Sequence, residues 1–143
     1  MPNWLHLVTN LFYHLGLAVW IGGALALGAL TAPALFRELP RPQAGGIFGA
    51  ILRRFARVRL AALVVTILAA AVKFLVWETH ARSVWIGIRW AALALMAAAV
   101  LYEILSLEPA IHKRDERFPI LHKRSEMLMK VTLLAALVAM FLN

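Results

Sequence analysis

Residues 11–36 read LFYHLGLAVWIGGALALGALTAPALF, a stretch without a single Lys, Arg, Asp or Glu. Roughly 20 apolar residues rising about 1.5 Å each cross the hydrocarbon core of a bilayer, so this stretch predicts a membrane-spanning helix. One side chain able to carry charge near neutral pH, His14, interrupts it. Counting in fours from His14 gives Ala18, Gly22 and Ala26, and a second column holds Ala24, Gly28 and Ala32. Small residues at this spacing let helices approach closely in lipid. The expectation is therefore that the His14 face points into protein, where an intramembrane histidine marks a functional position.

The whole chain supports the same class. Its 143 residues are 63% hydrophobic and 15% charged, with a mean hydropathy of +0.80. That is more apolar surface than a soluble domain of this size can bury. Residues 1–143 read as one all-α domain, a polytopic membrane protein built as a bundle of four transmembrane helices. There is no cysteine, hence neither a disulfide framework nor a thiolate metal site. The opening MPNWLHLVTN has no basic residue ahead of its apolar run, so the first helix is expected to stay in the membrane.

Working outward, the apolar segments fall at about 4–32, 58–77, 84–107 and 127–142. The first long connection carries Arg37, Arg41, Arg53, Arg54, Arg57 and Arg59 against Glu38; the second carries Lys113, Arg114, Arg117, Lys123 and Arg124. The short connection after Trp77 has only Arg82. Cytoplasmic loops collect Lys and Arg, which predicts an inner-membrane protein with both termini outside and both long loops in the cytoplasm. The net charge of +8 is explained by those loops and calls for no nucleic-acid partner. Pro33, Pro40 and Pro42 are expected to end the first span and make a turn. After them Ile47, Ile51 and Phe55 at fourfold spacing predict an amphipathic helix, lying on the cytoplasmic face or extending the second span. Trp4, Trp77 and Trp85 stand where an interfacial aromatic belt would.

Five ionisable residues lie in or beside the spans. His14, Lys73 and Arg89 belong to the outer half and form the candidate ligand-binding layer, with Glu78 as the nearby acid. Two cations and a histidine suit an anion, a carboxylate or porphyrin propionates. Glu103 and Lys130 belong to the inner half, where Glu103 has Lys130 or the arginines of the first loop as possible partners. His122, Glu126 and Lys130 step in fours along the last span, as a proton relay or as a salt-bridge ladder. His112 and His122 flank Asp115 and Glu116, an oxygen–nitrogen set for a metal without a tight ligand spacing. No nucleotide-binding glycine loop, nucleophile elbow or zinc-hydrolase helix occurs, which speaks against an enzyme.

Several of these residues carry a resemblance. The Trp20-Ile-Gly-Gly span ending in Pro33-Ala-Leu-Phe36, then Ala44-Gly45 with Phe48, then Phe118-Pro-Ile-Leu-His122-Lys-Arg-Ser125, resembles the transmembrane-protein-205-like family of uncharacterised four-helix membrane proteins. That resemblance implies transport or trafficking, since the family's eukaryotic relatives are associated with resistance to platinum drugs. More distantly, His14 and Trp20 are similar to the first helix of copper-resistance D proteins and membrane protoporphyrinogen oxidases, which would make His14 a metal ligand.

Three functions are thus in view. The first is binding or translocation of a small ligand or metal through the bundle interior. The second is a membrane oxidoreductase holding haem b, with His14 as axial ligand and Lys73 and Arg89 on the propionates. The third is an assembly or packing subunit with no ligand. The layered polar residues favour the first. Two small-residue columns exceed what one neighbour uses, so the expected partners are the lipid bilayer and a second copy, as a homodimer.

Overall fold

The computed structural model describes residues 3–79, 83–107 and 118–143, with the backbone alone at 107 and 118–122. The regular elements are helices: α1 (Asn3–Glu38), α2 (Arg41–Glu78), α3 (Val84–Ser106) and α4 (Phe118–Phe141). The first three are long and apolar enough to cross a membrane. α4 carries Lys123, Arg124, Glu126 and Lys130 in its first half, which leaves a shorter apolar run from Val131 onward.

Each helix packs on two others. α1 lies against α2 and α4, and α3 completes the ring against the same two. Asn143 bonds Asn10 near the start of α1, which marks the terminus end of the bundle; the opposite end is the loop end. α1 and α2 hold 36 and 38 residues, about 54 and 57 Å at 1.5 Å per residue, well beyond the thickness of a bilayer core. Their excess projects as a helical hairpin at the loop end, where Phe36 and Phe48 meet edge to face at 6.3 Å. The amphipathic stretch is thus an extension of the second helix and not a separate surface helix.

Helix starts and breaks have local causes. Leu39 is extended (φ −124°, ψ 151°), the conformation imposed on a residue that precedes proline. Pro40 and Pro42 then open α2, where a missing N–H is harmless. At the head of α3 the Ser83 hydroxyl accepts from Trp85 N at 3.3 Å. Pro33 behaves otherwise than expected, because α1 runs on through it. The preceding residues Ala26–Thr31 form a π-helical segment in which Ala32 N–H bonds Leu27 O. That wider turn moves the carbonyl with which the proline ring would collide, so the helix ends only at Glu38.

The core runs along one face of α1. Tyr13, Leu17, Trp20, Ala24 and Leu27 are buried, and the first three cluster with Leu63, Ala69 and Ala70 of α2, Leu93, Met96 and Val100 of α3, and Ala135, Ala136 and Ala139 of α4. The closest approach is at Gly16. A Cβ there would lie 2.1 Å from Thr66 Oγ1 and 2.6 Å from Ala62 O, so α1 and α2 touch through backbone. The column His14, Ala18, Gly22 and Ala26 is exposed. In the second column Ala24 is buried, Ala32 half-buried and Gly28 exposed. Within the protomer the His14 face is not the packed one: the seam of α1 is set by Tyr13, Leu17 and Trp20, which bury far more area than alanine and glycine.

Candidate functional site

Two polar layers sit at opposite ends of the α2–α3 seam. At the terminus end the Arg89 guanidinium grips Glu78 with both terminal nitrogens, Nη1 donating to Oε1 at 3.0 Å and Nη2 to Oε2. Lys73 Nζ lies 3.9 Å from the same carboxylate and donates to Asn143 Oδ1 at 3.0 Å. Asn143 Nδ2 donates to Asn10 Oδ1 at 3.2 Å. Asn10 Nδ2 in turn lies 3.2 Å from His6 Nδ1, and the His6 ring stands edge-on to Trp77 at 5.1 Å. Beside this chain the Tyr13 hydroxyl donates to Ala139 O at 2.7 Å. All four helices contribute, and two cations face one carboxylate.

Glu78 reaches the seam because of a helix irregularity. From Arg59 onward the buried positions of α2 are Arg59, Ala62, Leu63, Thr66, Ala69 and Ala70, a rhythm that would next pass through residues 73 and 77. Phe74–Glu78 is π-helical, and one additional residue per turn moves position 78 to where 77 would stand. The backbone thereby aims the acid at α3.

At the loop end Arg59 Nη2 donates to Glu103 Oε2 at 2.7 Å. The Arg59 guanidinium also lies 5.4 Å from the ring centres of both Trp20 and Phe55, within cation–π range of each. Arg59 is 1% exposed, as is Arg89. In each arginine Nε is buried without a hydrogen-bond partner among the described residues. Glu103 opens another π-helical segment, Glu103–Leu107. Both acids of the seam thus occupy widened turns.

The predicted residues therefore divide. Lys73 and Arg89 come together as expected, and Glu78 supplies their counter-charge. His14 does not join them: it is exposed, with Nδ1 2.8 Å from Asn10 O of the preceding turn, and it makes no hydrogen bond or ring contact with either cation. Glu103 takes an arginine of the first loop region, Arg59, and not Lys130. Lys130 donates instead to Glu126 at 2.7 Å on an exposed helix face, the ladder geometry of the predicted stripe. The His122 side chain and all of His112, Asp115 and Glu116 lie outside the described residues. Among those described, no group of three or more His, Asp and Glu is gathered for a metal.

The sequence gives no sign of Asn10 and Asn143, and it names Arg59 only as one of the first-loop arginines open to Glu103. The asparagines offered no signal beyond being polar at helix ends. Arg59 did offer one, since it stands one residue inside the apolar run that starts at Val58. A cavity of about 410 Å³ also opens at the loop end, lined by Ala50, Arg53, Arg54, Ala56, Arg57 and Ile104.

The chain matches no curated protein and no solved structure. It does match a domain of unknown function, DUF4149, over residues 15–119, which takes in both ion pairs and Trp20. Through that match, which covers most of its length, the chain belongs to the DUF4149 family.

Proposed function

We propose that this protein crosses the inner membrane four times, with both termini outside, and handles a small ligand through its bundle interior, the two ion-pair layers serving as closures at either end. The observation that carries this reading is the double clamp on one helix pair: Glu78–Arg89 and Arg59–Glu103 both join α2 to α3, with an apolar seam between them. Packing alone is served as well or better by apolar residues, because desolvating two charges offsets most of their attraction. Buried pairs at both ends of one seam, each with its acid in a π-helical turn, are an arrangement that opening and closing would use. The similarity to transmembrane-protein-205-like proteins at Trp20, Pro33, Ala44 and Gly45 supports the same reading.

The test uses the absence of native cysteine. Met96→Cys places a thiol in the fully buried middle of the seam. With the pairs intact, a charged methanethiosulfonate reagent should leave it unmodified from either side. Adding Glu103→Gln should admit the reagent from the loop end, and adding Glu78→Gln should admit it from the terminus end. Protection in both folded double variants would favour the second reading, a ligand-free packing subunit. That alternative draws on one observation, an interior filled by Tyr13, Leu17, Trp20, Leu93 and Met96, each at 1% exposure or less.

A further inference from the structure

We infer that the loop-end cavity between α2 and α3 is a binding site for the phosphate headgroup of an acidic phospholipid. The exposed residues of α2 change character at one point. From Val58 onward they are apolar, through Val64, Val65, Leu68, Val72 and Leu75. On the other side of that point they are Arg57, Arg54 and Arg53. Val58 to Trp77 is 20 residues, about 30 Å of helix and the thickness of a hydrocarbon core. The three arginines therefore begin within about one residue rise of the apolar boundary and extend roughly 8 Å beyond it, the depth of lipid phosphates.

Their grouping is more specific than a basic loop requires. Arg53 and Arg57 are four apart and Arg54 and Arg57 three apart, so all three share one helix surface. They line a single cavity whose other walls are Ala50, Ala56 and Ile104, small or apolar contacts for the glycerol end of a lipid. Ile104, which lines the cavity, directly follows Glu103, whose carboxylate is already paired with Arg59. None of Arg53, Arg54 or Arg57 forms an ion pair among the described residues. Guanidinium groups bind phosphate oxygens in a bidentate manner, and three of them around a space of this size match one phosphodiester with its bridging atoms. A topology signal works with cations anywhere in a loop; a shared cavity at phosphate depth is what a lipid site adds. The inference depends on α2 crossing the membrane and not on the ion pairs opening.

The full chain in mild detergent, titrated with phosphatidylglycerol and examined by native mass spectrometry, tests it. Arg53→Gln/Arg57→Gln should weaken phosphatidylglycerol binding about tenfold or more, as expected for losing charge-assisted bidentate contacts. Arg37→Gln/Arg41→Gln removes the same charge elsewhere on the same connection and should change binding less than about twofold. Arg53→Lys/Arg57→Lys should fall between the two. Equal losses in both glutamine variants would overturn the site in favour of diffuse charge attraction. Phosphatidylcholine binding as tightly as phosphatidylglycerol, or inorganic phosphate displacing the lipid at equal concentration, would overturn the assignment to an acidic lipid.

Discussion

Arg59 bonds Glu103 while its guanidinium carbon lies 5.4 Å from the ring centres of both Trp20 and Phe55, so the cation of the loop-end pair has one carboxylate and two aromatic neighbours. The ion-pair partners come from α2 and α3, and Trp20 draws in α1. Removing one charge leaves the other buried and unpaired. Glu103→Leu or Arg59→Met alone should therefore destabilise the bundle by about 3–5 kcal/mol, whereas the double variant should recover most of that loss. Equilibrium unfolding in mixed detergent–SDS micelles measures all corners of the cycle. Additive losses would mean that the two side chains do not interact.

The terminus-end layer makes a graded prediction. Among the described residues Glu78 is the sole carboxylate paired with both Arg89 and Lys73, so Glu78→Leu should cost about 3 kcal/mol or more. Asn143→Ala removes an acceptor from Lys73 and a donor from Asn10, bonds at the mouth of the bundle worth about 1 kcal/mol each. The same unfolding measurement should rank Glu78→Leu well above Asn143→Ala. The reverse order would show that the amide bridge, and not the ion pair, holds this end together.

Glycines of α1 should separate into two kinds. Gly16→Ala must displace Thr66 Oγ1 and the Ala62 carbonyl, and backbone cannot give way cheaply. A loss of about 1–3 kcal/mol is expected. Gly22→Ala meets nothing within 4 Å and should be neutral or stabilising by up to about 1 kcal/mol, since alanine is the better helix former. Equal effects at the two positions would contradict the crossing of α1 and α2 at Gly16.

What the sequence made legible followed from length and charge. Apolar runs fixed the helices, and the brevity of the connection after Glu78 made its meeting with Arg89 readable, because a tight turn returns the chain to the same end. The orientation of α1 was harder. In a chain meant for lipid, apolar side chains lie on both the packed and the exposed faces, so periodicity loses its contrast and small-residue columns appear on either side. The discriminating signal was the spacing Tyr13, Leu17, Trp20, Ala24, Leu27, which places the bulkiest residues on one stripe. Arg59 was hidden for another reason. Among six arginines in one connection, only tertiary contact with Glu103 and two rings singles one out.

The depth of α2 is the quantity on which the layering rests, and a cysteine-free chain makes it directly measurable. Single cysteines at Ile47, Leu68 and Ser83 sample the projecting hairpin, the exposed apolar run and the short connection; Ile47 and Leu68 are both exposed in the bundle. Exposure to water and exposure to lipid differ in one respect that matters here, since maleimides need a thiolate, which forms in water and hardly at all in hydrocarbon. Ser83→Cys should react with a membrane-impermeant maleimide added to intact cells. Under the proposed topology, in which the basic loop end faces the cytoplasm, Ile47→Cys should react only after the membrane is permeabilised. Leu68→Cys, ten residues and about 15 Å from Val58, should resist the reagent in both conditions and react after unfolding in SDS. Labelling of Ile47→Cys in intact cells would invert the topology. Ready labelling of Leu68→Cys in the folded protein would remove α2 from the membrane altogether.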